Sequence, residues 1–255
     1  MKKLPQVTLL FWIMKIAATT LGETAGDLLS MTLKVGYALS SMILIGLFLV
    51  TVVTQLSSKK YHPLLYWTVI VSTSTAGTTM SDYMDRTLGL GYAKGTLILM
   101  AILAAIFLYW RASAHSFSVQ NITTFKVELL YWTAILFSNT LGTALGDFLA
   151  DSSGLGFGGG ALLIGGLLIL TVLANYFTPF SKTLLFWIAF VLTRPFGATM
   201  GDVLTKSRAQ GGLNFGTIGS SIILGSILGI LILYTTFDQR KRAEGPGTAS
   251  AGTVN

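Results

Sequence analysis

The sequence TTLGETAGD, residues 19–27, decides the fold, because the chain carries four versions of it. The other three are TSTAGTTMSD (73–82), SNTLGTALGD (138–147) and TRPFGATMGD (193–202). Each version follows a box of two leucines, an aromatic residue and a tryptophan: LLFW (9–12), LLYW (64–67), LLYW (129–132) and LLFW (184–187). The tryptophan precedes the final aspartate by 15 residues in every copy. Such regular spacing predicts an internal repeat.

The composition predicts an integral membrane protein. Hydrophobic residues make up 52% of the chain and charged residues 11%, and the mean hydropathy is +0.70. A surface made from this composition would not be soluble as a globular domain. The long apolar runs lack the period-2 alternation of barrel strands, so they are interpreted as helices.

The repeats predict an all-α membrane protein with eight transmembrane helices, arranged as four parallel two-helix units. Successive motif aspartates are 55, 65 and 55 residues apart, which favours pseudo-fourfold or two-plus-two symmetry about an axis along the membrane normal. One transmembrane domain is expected over residues 1–237, with repeats at about 5–58, 59–112, 125–178 and 179–237. Residues 238–255 are predicted to be a disordered cytoplasmic tail.

Positive charges predict the orientation. Ten lysine and arginine residues flank the helices on the side of both termini, against five on the other side, among them Arg86 and Lys206. The positive-inside rule then places both termini in the cytoplasm of a multi-pass protein of the bacterial inner membrane. On this orientation the tryptophans of the four boxes, together with Trp110, are expected to form the cytoplasmic aromatic belt.

The composition also excludes several classes of function. The chain has no cysteine and only two histidines, which argues against thiolate and imidazole-rich metal sites. The net charge of +7 lies in short loops beside apolar runs, so nucleic acid is not an expected partner. No catalytic or nucleotide-binding motif is present, so the chain is not expected to be an enzyme, and no resident cofactor is predicted.

The small residues of the motif predict close helix packing. Each copy has two of them four residues apart, namely Gly22 and Gly26, Gly77 and Ser81, Gly142 and Gly146, and Gly197 and Gly201. Small residues at this spacing let helix backbones approach in a bilayer. The first helices of the four repeats are therefore expected to meet around the axis.

The carboxylates of the motif are the candidate functional groups. The first helices carry five of them, which are Asp27, Asp82, Asp147, Asp202 and Glu23. An ionised carboxylate at membrane depth is costly unless it is paired, protonated or hydrated. The only cations assigned to these helices are Lys15 and Arg194, as internal counter-ions, which leaves a surplus of three negative charges. Such an interior favours a cation or protons, although the aspartates could instead anchor helix ends.

Neutral oxygen groups accompany the carboxylates. Thr20 and Asn139 are the neutral residues proposed to help bind an ion, and Glu23 with the four aspartates forms the predicted metal-ligand set. With oxygen ligands and neither thiolate nor imidazole, such a site suits protons, alkali ions or hard divalent ions such as Mg²⁺, Mn²⁺ or Ca²⁺.

The repeated pattern resembles a bacterial membrane-protein family catalogued as a repeat of unknown function. The resemblance covers about residues 5–237 and implies an inner-membrane protein made of two-helix units, without implying an activity. In addition, Glu23-Thr-Ala-Gly-Asp27 is similar to the Glu-x-Gly-Asp-Lys/Arg-Thr/Ser motif of a family of Mn²⁺/Ca²⁺ exporters. Here the glutamate is one residue further from the aspartate, no Lys/Arg-Thr/Ser follows Asp27, and three copies lack the glutamate.

Together these patterns predict a transporter of a cation, most consistent with a hard divalent metal ion such as Mn²⁺ exchanged for protons. Two alternatives remain open: a transporter of a small organic solute, and a membrane scaffold or sensor without transport activity. The expected partners are the lipid bilayer and the cation, and homo-oligomerisation stays open.

Overall fold

The computed structural model describes residues 5–58, 60–114 and 124–244, and this part of the chain is all helical. It contains eight α-helices and no strand. They are α1 (Leu9–Asp27), α2 (Tyr37–Ser57), α3 (Pro63–Asp82), α4 (Tyr92–Ala114), α5 (Phe125–Asp147), α6 (Gly156–Phe177), α7 (Lys182–Thr205) and α8 (Thr217–Glu244). Because α8 continues to Glu244, the first residues of the predicted tail are helical. Residues 245–255 lie outside the described part.

The motif aspartates mark the ends of the first helices. Helices α1, α3 and α5 end at Asp27, Asp82 and Asp147, and each continues into a five-residue π-helical turn. The turns are Leu28–Thr32, Tyr83–Thr87 and Phe148–Ser152. A glycine nine residues after each aspartate then takes a positive φ, as in Gly36 at 82° and Gly91 at 73°. Glycine adopts this conformation without a Cβ penalty, so the chain can reverse into the second helix.

Helices α1, α3, α5 and α7, called the inner helices below, form a closed ring. Each contacts the next one along the chain, and α7 returns to α1. The remaining helices α2, α4, α6 and α8, called the outer helices, lie outside this ring. Each outer helix packs mainly on the inner helix of the following repeat, and α8 packs on α1. The repeats are therefore interlocked, with the second helix of one unit covering the first helix of the next.

The glycines of the motif lie where neighbouring inner helices touch. A Cβ on Gly22 would overlap Ser74 of α3, and one on Gly142 would overlap Arg194 of α7. The ring continues with Gly77 against Asn139 and Gly197 against Thr19. The predicted small-residue packing is therefore confirmed by these contacts.

Five helices are long and apolar enough to span a bilayer: α2, α4, α6, α7 and α8. The inner helices α1, α3 and α5 are not among them, because they are rich in hydroxyl and charged residues. The outer helices instead expose large apolar side chains, such as Leu162 of α6 at 80% and Val50 of α2 at 67%. The fold is thus that of a membrane protein with its polar residues enclosed.

Aromatic residues close one end of the inner ring. Tyr66 and Tyr131 are buried, and their hydroxyl groups are 2.9 Å apart. The aromatic residue of each box contacts the tryptophan of a neighbouring box, as in the 5.6 Å between the ring centres of Tyr66 and Trp132. Trp67 and Trp132 are each 1% exposed, Trp187 is 7% exposed and Trp110 is fully buried. The predicted aromatic belt is therefore wrong for these four, since they pack inward instead of facing the lipid interface.

Candidate cation site on the axis of the inner ring

The candidate functional groups form columns along the inner helices because they recur every four residues. Residues four apart lie on one helix face, and on α1 this face carries Phe11, Lys15, Thr19, Glu23 and Asp27. All five are at most 4% exposed. The corresponding columns of the other inner helices also begin with an aromatic residue and end with an aspartate. Apart from Lys15, the axis is therefore apolar and aromatic at one end, and it is acidic at the other.

Glu23 and Arg194 form an ion pair in the middle of the ring. The Nη2 group of Arg194 donates to Glu23 Oε2 at 2.9 Å. It also donates to the hydroxyl groups of Thr78 and Thr143. These two hydroxyls donate in turn to Glu23 Oε2, at 3.2 and 3.3 Å. Thr78 and Thr143 hold the position of Glu23 in the second and third repeats. The glutamate of the first repeat is therefore held by the hydroxyl groups at the equivalent positions of two other repeats.

The four motif aspartates are buried and divided into two pairs. Lys206 Nζ lies 2.8 Å from Asp27 Oδ2 and 3.1 Å from Asp202 Oδ1. Arg86 Nε lies 2.8 Å from Asp82 Oδ1, and its Nη2 lies 3.5 Å from Asp147 Oδ2. The aspartates are 2–4% exposed. Each pair of aspartates is therefore bridged by one cation.

Arg86 and Lys206 are the ion-pair partners of the motif aspartates that the sequence interpretation missed. It assigned both to loops, whereas each side chain turns back toward an aspartate four residues earlier. With them, three cations lie at ion-pair distance from the five motif carboxylates, namely Arg194, Arg86 and Lys206, whereas the sequence interpretation assigned Lys15 and Arg194 as the counter-ions. The signal was present as Asp82-x-x-x-Arg86 and Asp202-x-x-x-Lys206, a spacing that favours ion pairs on a helix.

Three carboxylates come together closely enough to share one ion. Oxygen atoms of Glu23, Asp27 and Asp202 lie within 4.8 Å of one another, and all three residues are buried. Asp82 and Asp147 were predicted to belong to the same ligand set, but they do not join this group and instead share Arg86. The four-copy motif therefore produces one asymmetric cluster, because only the first copy carries a glutamate.

The remaining predicted site residues do not join the carboxylate cluster. The Thr20 hydroxyl donates to the carbonyl oxygen of Ile16 in its own helix at 2.9 Å. The Asn139 amide donates to Thr73 Oγ1 at 2.8 Å. Lys15 Nζ lies 4.2 Å from the centre of the Phe190 ring and has no carboxylate at ion-pair distance within the described residues. Of the two predicted counter-ions, only Arg194 is thus paired with an acid.

The fold and this enclosed polar axis define a helical membrane protein built from four copies of a two-helix unit. The family described as Repeat of Unknown Function (DUF347) matches residues 10–61, 65–116, 130–179 and 185–241, and the chain belongs to this family. Neither a curated protein nor a solved structure matches the chain.

Proposed function

We propose that this protein transports a cation across the membrane, and that the cation is a hard divalent metal ion such as Mn²⁺. The observation that supports this function is the convergence of Glu23, Asp27 and Asp202, whose oxygen atoms lie within 4.8 Å of one another inside the ring. Buried acidic groups in a membrane-spanning bundle are costly and are characteristic of ion pathways.

The chemistry of the cluster favours a hard ion. The three proposed ligands, Glu23, Asp27 and Asp202, are all carboxylates, and the chain has no cysteine. Ions such as Mn²⁺ and Ca²⁺ prefer oxygen ligands at about 2.1–2.6 Å. One ion can therefore contact oxygen atoms that are up to about 5 Å apart, which is compatible with the observed cluster.

The proposed topology has eight spans around an approximate fourfold axis, with both termini in the cytoplasm. The closed contact ring of the inner helices supports this arrangement. Although α1, α3 and α5 are less apolar than a typical span, the outer helices cover them, so their polar faces do not need to meet lipid. The bacterial inner membrane is the proposed location.

Proton exchange is the proposed driving process. A divalent ion that binds three carboxylates must compete with protons for the same oxygen atoms. Uptake of the ion on one side and of protons on the other would use one set of groups for both.

A second function, that of a scaffold without transport activity, is favoured by the ion pairs of the aspartates. Each motif aspartate lies within 3.5 Å of Arg86 or Lys206. Such pairs would hold the ends of the inner helices together even if no ion were bound. The two functions differ in whether Mn²⁺ binds and crosses the bilayer.

Reconstituted vesicles test the proposal directly. Purified protein in proteoliposomes is expected to move Mn²⁺ in the presence of a pH gradient, measured with a metal-sensitive dye on the opposite side. Asp27→Asn is expected to lower the initial rate by about tenfold or more, because it removes one of three charged ligands. Asp82→Asn is the matched control, since Asp82 holds the equivalent position but lies outside the cluster; its rate is expected to stay within about threefold of wild type.

The scaffold interpretation predicts the opposite pattern. Mn²⁺ would neither cross the bilayer nor raise the melting temperature of the purified protein, whereas both aspartate variants would melt earlier. Equal transport rates for wild type and Asp27→Asn would overturn the proposed site.

A further inference from the structure

The fourth repeat differs from the other three at the residue that bridges Asp27 and Asp202. Helices α1, α3 and α5 pass into π-helical turns after their aspartates, whereas α7 continues to Thr205 and ends there. Lys206 follows with an extended backbone, φ −69° and ψ 158°. Its carbonyl oxygen accepts a hydrogen bond from the amide of Asn214 at 3.0 Å. Lys206 is thus the C-cap of α7, with its amide still donating to the carbonyl oxygen of Asp202 at 2.9 Å, and it lies at the junction of the helix and a loop.

Arg86, which holds the equivalent position in the second repeat, is placed differently. It lies inside the π-helical turn Tyr83–Thr87, and its guanidinium carbon lies 5.9 Å from the ring centre of Tyr37 and 5.6 Å from that of Tyr92. A planar guanidinium with several fixed donors and aromatic neighbours holds one geometry. Although the Arg86 side chain is 32% exposed, against 18% for Lys206, its fixed donors and aromatic neighbours make the Arg86 bridge the more rigid of the two.

The Lys206 bridge has the properties of an exchangeable contact. Its ammonium is a compact charge on a flexible stem, and its side chain is 18% exposed, so the group has a route to water. It also occupies the pair of aspartates that has a third carboxylate, Glu23, close by. A divalent ion held by these three groups would need the oxygen atoms that Lys206 now contacts.

We propose that Lys206 is a tethered competitor of the transported cation. This inference rests on the proposed function and assigns Lys206 a role at the same site. The ammonium bridges Asp27 and Asp202 when no ion is bound, leaves them when a divalent ion binds, and returns as the ion departs. Throughout this exchange it remains charged and forms no covalent bond. Two buried carboxylates are therefore never left without a positive charge, which would be costly.

The competition has a consequence for affinity. An ion can bind only to the fraction of molecules in which Lys206 has left the aspartates, so the apparent dissociation constant is larger than the intrinsic one. A weaker apparent affinity helps the ion to leave on the far side. Arg86 has no such effect, because it holds the two aspartates that lie outside the cluster.

Equilibrium binding of Mn²⁺ to the purified full chain, measured by calorimetry, tests this role. Lys206→Gln is expected to bind Mn²⁺ about tenfold or more tightly than wild type, as removal of a competitor that is bound about 90% of the time would require. Lys206→Arg is expected to bind more weakly than wild type, because the guanidinium forms the more persistent bridge. Arg86→Gln is the matched control and is expected to change the dissociation constant by less than about threefold.

A measurement on the wild-type chain gives the same answer without a substitution. The reaction of Lys206 with a small acylating reagent, followed by mass spectrometry, is expected to become several-fold faster when saturating Mn²⁺ is added, because the amine is released to water. Lys94, in the first turn of α4, provides an internal reference whose labelling rate is expected to stay constant. An unchanged rate at Lys206 would contradict its displacement.

The outcomes separate this inference from the function on which it rests. If Mn²⁺ binds to wild type but not to Asp27→Asn, the proposed site stands. If, in addition, Lys206→Gln binds Mn²⁺ no more tightly than wild type, only the competitor role of Lys206 is overturned. If Mn²⁺ binds to neither wild type nor any Lys206 variant, the proposed site fails, and with it the inference.

Discussion

The inner and outer helices of this protein place opposite kinds of side chain on their surfaces, although both are α-helices. Of the residues in an apolar 18-residue stretch of α6 only 17% are buried, and the others expose leucine and isoleucine, whereas 56% are buried in the corresponding stretch of α7. The inner faces instead carry hydroxyl groups, glycines and charges, including the fully buried Arg194. Because lipid offers no hydrogen bonds, polar groups must be enclosed in the protein and must find their hydrogen-bond and ion-pair partners there. The comparison teaches that stability inside the ring depends on close helix packing and on paired polar groups. Outside the ring it depends on apolar side chains that face the lipid.

Removal of Arg194 is expected to break the inner ring most severely. In Arg194→Met, Glu23 would lose its only ion-pair partner in the described structure and remain as an unpaired buried charge. Breaking a buried pair from one side costs about 3–5 kcal/mol. The free energy of unfolding, measured in detergent with increasing sodium dodecyl sulfate, is expected to fall by about this amount.

A double variant provides the control for this loss. Adding Glu23→Gln to Arg194→Met removes the unpaired charge, so more than half of the lost stability is expected to return. A double variant as unstable as Arg194→Met would show that packing around the guanidinium, and not its charge, supports the ring.

The contact glycines allow a matched test of inner against outer surface. In Gly142→Ala, the new methyl group would overlap the Arg194 side chain, whereas nothing lies within 4 Å of a Cβ at Gly166 on α6. Overpacking is expected to lower the unfolding free energy of Gly142→Ala by about 1–3 kcal/mol. Gly166→Ala is expected to be neutral or up to about 1 kcal/mol more stable, because alanine is the better helix former. Equal changes of the unfolding free energy in Gly142→Ala and Gly166→Ala would contradict the difference between the inner and the outer helix surface.

The hydrogen bond at the aromatic end is expected to contribute least. Tyr66→Phe removes the hydroxyl that lies 2.9 Å from the Tyr131 hydroxyl, and a buried hydrogen bond contributes about 1 kcal/mol. Tyr176→Phe on α6 serves as the outer control, since Tyr176 is 77% exposed. Its melting temperature in detergent is expected to match wild type, while Tyr66→Phe melts a few degrees lower. No difference between them would mean that the aromatic end is held by ring packing alone.

Much of the inner ring can be predicted from the sequence because its cause is local. The fourfold recurrence of Gly-x-x-x-small predicts where the inner helices touch, and the four-residue spacing from Glu23 to Asp27 predicts that they share a face. Both are properties of a single helix. They do not depend on knowing which helix lies opposite.

The parts that could not be predicted depend on long-range neighbours. A repeat specifies a unit but not whether its second helix covers its own first helix or that of the next unit. The inward packing of Trp67 and Trp132 depends on which inner helix each outer helix covers. For this reason the sequence does not distinguish a tryptophan of the membrane interface from one of the core. Arg86 and Lys206 were counted as loop charges because the helices were expected to end near the aspartates, although the four-residue spacing from Asp82 and Asp202 is one that favours ion pairs.

The contact of α8 with α1 has a consequence for biosynthesis. Because α8 follows the other seven helices in the chain, α1 gains this cover only after all of them have been synthesised. Until then, the flank of α1 that α8 contacts is uncovered. A chain truncated before Thr217 would lack α8 and would leave this flank exposed.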